Sequence, residues 1–126
     1  EQKKNLELKN YGATMRLGAY DAYLKKGSIA HTAYACHNSK FLIHNSRASE
    51  RHRHRYEVNP EYINRLERKG LIFSGYSKDR RLMEIAELPR NKHPFFLGTQ
   101  YHPEFKSRPL SPHPLFLEFI KASIKK

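Results

Sequence analysis

The chain has 126 residues, with 24 Lys and Arg against 12 Asp and Glu, for a formal net charge of +12. That length makes one domain or part of a larger one, and a hydrophobic content of 38% argues against both a large self-contained core and outright disorder. The charge attracts anions, but it is scattered along the chain and not gathered into one arm, so it reads first as a generally basic surface. Cys36 is the single cysteine, which excludes an internal disulfide framework and fits a reducing, cytoplasmic setting. No apolar run approaches a membrane span, and no signal-peptide core follows Glu1. The absence of an initiator Met points to a start inside a longer chain.

The elements follow in chain order. Residues 1–9 alternate weakly around Leu6 and Leu8 and read as a short edge strand. A turn at Gly12-Ala13-Thr14 precedes a strand over residues 15–20, where Gly18 permits close backbone approach. Residues 27–50 are rich in Gly, Ser, His and Asn and read as a loop, with at most one strand near Phe41-Leu42-Ile43. A helix follows: Asn59 is its N-cap, Pro60 its first residue, Glu61 complements its dipole, and Gly70 stops it. Tyr62, Ile63 and Leu66 share one face of that helix. Residues 71–76 and 83–88 flank a polar turn and form a hairpin. Residues 95–100 read as a buried strand. A Pro-rich loop leads to a helix over residues 114–124, with Leu115, Phe116, Phe119 and Ile120 on one face. The order predicts part of an α/β domain.

Three constellations can carry chemistry. His102 and Glu104 lie two residues apart, so in extended backbone they share a side, and the carboxylate can fix the imidazole tautomer. Pro103 stiffens that geometry. Together they suit the base and orienting acid of a catalytic triad, although on spacing alone two surface side chains are the simpler reading. In Arg51-His52-Arg53-His54-Arg55, alternation sets the arginines on one side and the histidines on the other. This run reads equally as an anion-recognising surface or as an exposed basic edge. A metal at His52 and His54 is disfavoured, because no further ligand lies at a familiar spacing, so no metal is expected. Lys106-Ser107-Arg108-Pro109 could hold an anion or a neighbouring domain, though a solvated loop is slightly preferred. Cys36 has no glycine beside it and no apolar strand leading in, so it reads as an incidental thiol and not as a nucleophile.

Two runs, Glu50-Arg51-His52-Arg53-His54-Arg55-Tyr56-Glu57-Val58-Asn59 and Gln100-Tyr101-His102-Pro103-Glu104-Phe105-Lys106-Ser107-Arg108-Pro109, resemble the signatures of CTP synthase. Thr14-Met15-Arg16-Leu17-Gly18 and His113-Pro114-Leu115-Phe116 are similar as well. The His-Pro-Glu turn is shared by many class I glutamine amidotransferases, whereas the Arg-rich run is much more specific. The resemblance implies a partial flavodoxin-like three-layer α/β domain with mixed strands and a C-terminal helix. Residues 1–126 would form the C-terminal portion of a glutaminase domain, with the nucleophile half and the synthetase domain upstream. It further implies a Cys-His-Glu triad in which His102 is the base and Glu104 its orienting residue. Arg55 would help hold the substrate glutamine. Ammonia would pass to the synthetase domain for amination of ATP-activated UTP, so ATP and Mg are expected there and no cofactor in this segment. The implied partners are glutamine, the rest of the chain and further copies in a homotetramer, with neither membrane nor nucleic acid among them. Arg80 stands where a hairpin glycine is common, which predicts a non-glycine residue at positive φ.

Alone, this segment lacks a nucleophile and is expected to be inactive, loosely folded and aggregation-prone. A split or decayed amidotransferase half that binds a nucleophile-bearing partner is the alternative. A basic nucleic-acid binder is a third reading, weakened by the sparse aromatic interleaving at Tyr56 and Tyr101.

Overall fold

The computed structural model describes residues 15–37, 42–43 and 46–124. The expected edge strand over residues 1–9 and the turn at Gly12-Ala13-Thr14 lie outside them. The described elements are β1 (Arg16–Leu24), α1 (Ile29–His37), β2 (Leu42–Ile43), β3 (Arg47–His54), α2 (Pro60–Arg68), β4 (Ile72–Tyr76), β5 (Met83–Glu87), β6 (Leu97–Thr99) and α3 (Pro114–Ile124). A single 3-10 turn, Pro103–Phe105, interrupts the loop before α3.

The six strands form one sheet in the order β2-β3-β1-β4-β5-β6. Each pairing is antiparallel, with β1 and β3 registered from Arg16↔His54 to Tyr23↔Arg47. β1 runs four residues beyond the expected strand. Asp21, in that extension, is partly exposed and pairs with Arg47 at 3.2 Å, while Ala22 and Leu24 turn inward.

The reading of residues 27–50 as mostly loop is corrected. α1 and the first half of β3 occupy that stretch. Ser28 Oγ accepts from the His31 backbone N–H at 3.0 Å, an ordinary N-cap. Less ordinary is Glu87, whose carboxylate reaches across from β5 and accepts from the N–H groups of Ile29 and Ala30 at 2.8 and 3.2 Å. The same carboxylate accepts from Ser74 Oγ at 2.8 Å. A negative group at a helix N-terminus satisfies donors with no partner inside the helix. Here that group comes from a distant strand. Ala30, Ala33 and Tyr34 then pack with Ala22, Leu24, Ala48, Ile85, Tyr101 and Leu115 to make the core.

α2 follows the sequence reading closely. Asn59 Oδ1 accepts from the Glu61 N–H at 3.0 Å, and Gly70 follows the helix at φ 94. Its apolar face is nonetheless not buried among the described residues, with Tyr62 48% and Leu66 37% exposed. The β4–β5 hairpin forms as expected, and Arg80 in its turn has φ 59. Gly75 lies at the β-bulge in β4, directly over Ile85. The expected buried strand at residues 95–100 is corrected to a short edge strand, with Phe96 49% exposed. α3 has the expected bounds, but of its apolar face only Leu115 enters the core; Phe116, Phe119 and Ile120 remain exposed.

Candidate active site

His102 follows the edge strand β6 and docks on β3, its backbone N–H donating to Arg51 O at 2.8 Å. Its backbone is extended (φ −111, ψ 93), and Pro103 at once opens the 3-10 turn that contains Glu104. The two side chains therefore meet across a helical turn and not along a strand. His102 Nδ1 lies 2.7 Å from Glu104 Oε1. The imidazole stacks on Phe105, centroids 4.9 Å apart at 20°, and keeps about a third of its surface open. Partial desolvation pushes the Glu104 carboxyl up. The hydrogen bond from His102, its own backbone N–H and the nearby charge of His102 and His113 outweigh that and hold it below the usual carboxylate range. The arrangement can hold one imidazole tautomer and leave Nε2 free to exchange a proton with a bound substrate.

β3 alternates as expected. Arg51 and Arg53 face outward, while His52 is buried. Arg55 lies one residue beyond the strand in an exposed bend. It is four residues from Arg51, the residue that anchors His102, or roughly 13 Å of extended chain. His102, Glu104 and the Arg55 bend are thus carried by one strand and the loop stapled to it.

His52 is committed to the fold. Its Nδ1 lies 3.0 Å from Glu50 O and its Nε2 2.8 Å from Glu84 Oε2. Neither nitrogen is left for a metal, and among the described residues no group of three potential ligands converges. Glu84 also binds Arg16 at 2.5 Å. Burial works against its charge, but the His52 and Arg16 hydrogen bonds hold its pKa down. Glu57, 3.5 Å from the same Arg16, is raised to about 7: burial dominates, Glu84 adds to it, and Arg16 only partly offsets it. Gln100 Nε2 reaches Glu57 Oε2 at 3.5 Å, linking the segment after Arg55 to the segment before His102.

The preferred reading of Lys106-Ser107-Arg108-Pro109 as a solvated loop is also corrected. Lys106 Nζ donates to Ser49 O at 2.6 Å, and Ser107 Oγ accepts from the His113 N–H at 3.1 Å. This segment straps the loop to β3. Cys36 is exposed within α1, away from any strand-to-helix elbow. The sequence reading missed the buried group beneath Tyr101: Tyr34, Glu50 and His113. Glu50 stands at the head of the Arg-rich run and His113 opens the final quoted motif, but nothing local marks either as buried.

Known proteins resemble this chain over most of its length. A family model described as glutamine amidotransferase class-I matches residues 3–122. CTP synthase of Hyphomonas neptunium is 56% identical over 114 residues, covering 90% of this chain and 19% of that protein. CTP synthase of Archaeoglobus fulgidus is 54% identical over 114 residues, again 90% of this chain and 19% of the relative. This chain therefore spans about a fifth of the length of these relatives. A solved structure described as Trypanosoma brucei CTPS glutaminase domain with bound acivicin superposes with a TM-score of 0.76 at 39% identity, covering 90% of this chain and 41% of that one. The mixed α/β arrangement of sheet and helices matches the flavodoxin-like architecture of these domains. The chain belongs to the class-I glutamine amidotransferase family and matches the glutaminase domain of CTP synthases.

Proposed function

We propose that this chain is the C-terminal portion of the glutaminase domain of a CTP synthase, with His102 as general base and acid, Glu104 as its orienting carboxylate and Arg55 as a glutamine-binding residue. The observation that carries the proposal is the 2.7 Å His102–Glu104 contact in a chain more than half identical to CTP synthases.

In this reading a thiolate attacks the side-chain amide carbon of glutamine. The tetrahedral intermediate collapses to a glutamyl thioester as His102 Nε2 gives its proton to the departing ammonia. His102 then takes a proton from water, which attacks the thioester and releases glutamate. Glu104 stabilises the imidazolium each time it forms. The side chain of Arg55, just past β3, would pair with the α-carboxylate of glutamine in a charge-assisted contact.

The thiolate comes from outside this segment, since Cys36 is the chain's only cysteine and lies exposed within α1. The 126 residues alone are therefore inactive. The ammonia serves an ATP- and Mg-dependent synthetase domain that aminates UTP to CTP, and no residue of this chain is assigned to that step. The whole enzyme works in the cytoplasm as a homotetramer. Among the described residues no helix is long and apolar enough to cross a membrane.

The test is His102→Ala in the intact enzyme. Glutamine-dependent CTP formation falls at least about 1,000-fold, because the covalent route loses its proton carrier. Amination from added ammonia continues at the unaltered rate. Retained glutamine-dependent activity would refute the assignment.

A further inference from the structure

We infer that Glu50 is a positioning residue for the glutaminase reaction, acting through Tyr101 and His113 to hold the His102–Glu104 turn against β3. The inference rests on the functional reading above.

The loop that carries His102 and Glu104 is fastened to three successive residues of one strand. His102 N–H donates to Arg51 O at 2.8 Å. Lys106 Nζ donates to Ser49 O at 2.6 Å. Between these two backbone staples lies Glu50, the one side-chain anchor of the three. It is fully buried, and its Oε1 accepts from the Tyr34 hydroxyl at 3.0 Å and lies 3.1 Å from His113 Nε2. The Tyr34 hydroxyl in turn lies 3.0 Å from that of Tyr101 and 3.3 Å from His113 Nε2. Tyr101 immediately precedes His102 and is only 2% exposed, while His113 closes the loop at the first turn of α3. One carboxylate thus gathers both ends of the loop.

The chemistry of the cluster suits this role. Burial, reinforced by neighbouring negative charge, holds both tyrosine hydroxyls well above their ordinary pKa, so they remain neutral. Glu50 Oε2 has no hydrogen-bond partner among the described residues. A fully buried carboxylate with an unbonded oxygen is costly. An amide of the same shape would fill the space at less cost, so packing does not account for the charge. What the charge does is draw hydroxyl and imidazole donors, and the Lys106 ammonium 3.9 Å away, to one point and so fix where the loop begins and ends. Glu50 touches neither His102 nor Glu104, so any catalytic effect must travel through the loop.

The experiment measures glutamine hydrolysis and ammonia-dependent CTP formation by the intact enzyme carrying Glu50→Gln, Tyr101→Phe, Glu104→Ala, which removes the orienting hydrogen bond to His102, and the Glu50→Gln/Glu104→Ala double change. Displacement of the imidazole by a fraction of an ångström lowers kcat for glutamine by about 10- to 100-fold in Glu50→Gln, with KM within about twofold. Tyr101→Phe keeps the ring, loses the hydroxyl and shows a smaller loss of the same kind. Because Glu50 and Glu104 both act through the orientation of His102, the double variant loses much less than the product of the single losses. Ammonia-dependent synthesis stays unaltered throughout. Equal fractional losses in both Glu104 backgrounds would overturn the inference, as would normal kcat in Glu50→Gln and Tyr101→Phe. If Glu50→Gln fails to fold, Tyr101→Phe decides alone: a kcat loss with unaltered KM supports the inference, and normal kcat overturns it. His102→Ala separates the two claims, since full activity in that variant refutes the glutaminase assignment itself.

Discussion

Replacing Glu104 by Gln removes a charge while nearly preserving shape, and the structure sets the size of the effect. The carboxylate sits 2.7 Å from His102 Nδ1, and the two side chains are 57% and 37% exposed respectively. A hydrogen bond to a charged group contributes about 1.5–3 kcal/mol. Coulomb attraction to an imidazolium about 4 Å away adds up to roughly 4 kcal/mol at an effective dielectric of 20. That sum is too large for a pair this open, because solvent screening draws exposed pairs towards about 1 kcal/mol. A net loss of about 1.5–3 kcal/mol in the transition state is the balanced figure, equivalent to a fall in kcat of about 10- to 150-fold. The carboxamide oxygen still accepts from Nδ1–H, so geometry survives and KM for glutamine changes little. The assay is ammonia release from glutamine by the intact enzyme, run beside ammonia-dependent CTP synthesis as an internal control. A kcat within twofold of the parent would show that Glu104 is a surface partner only. An equal fall in both activities would show that the change acts through global structure.

Other consequences follow from single features. In Gly75→Ala the new Cβ meets Ile85 Cγ1 at 2.5 Å, Cδ1 at 2.7 Å and Cβ at 2.9 Å, in a side chain that is only 1% exposed. Overpacking of this kind costs about 1–3 kcal/mol and lowers the urea midpoint of the intact glutaminase domain; an unchanged midpoint contradicts it. Arg55→Ala raises KM for glutamine about 10- to 100-fold with a smaller effect on kcat, as loss of uniform substrate binding requires; a pure kcat effect would remove Arg55 from the binding role. Glu57 has its pKa raised to about 7 from 4.5. The folded state therefore holds this proton more tightly, and the stability it contributes is complete below 4.5 and lost as pH rises through about 7. Glu57→Gln flattens the stability–pH curve across that window, and an unaltered slope would mean the carboxyl titrates elsewhere.

What could be read from the sequence depended on whether the signal was local. α2 was legible because Asn59, Pro60, Glu61 and Gly70 each act on their own turn of backbone. The β4–β5 hairpin, the positive φ at Arg80 and the bounds of α3 were legible for the same reason. The His102–Glu104 contact was foreseen, although a 3-10 turn and not a strand brings it about. α1 was missed because two of its first three N–H groups, those of Ile29 and Ala30, are capped by Glu87, which lies 58 residues from Ile29. β3 was partly missed because its inward positions include Glu50 and His52, so its alternation is not one of hydropathy. Charge there is buried, and the facing Tyr34, Glu84 and His113, with Lys106 Nζ 3.9 Å from Glu50, make that tolerable. β6 was called buried from Phe95, Phe96 and Leu97, yet it ends the sheet and leaves Phe96 half exposed. Periodicity identifies an apolar face but does not say whether the described residues cover it, as α2 and α3 both demonstrate.

The most direct measurement is a crystal structure of the intact enzyme trapped as its covalent adduct with an electrophilic glutamine analogue. The account predicts an adduct on a cysteine outside this segment, with His102 Nε2 within about 3.2 Å of that sulfur or of the leaving-group position. It also predicts the Arg55 guanidinium on the analogue's α-carboxylate and an unmodified Cys36. An adduct on Cys36, or a covalently bound analogue with His102 beyond hydrogen-bond reach, would contradict it.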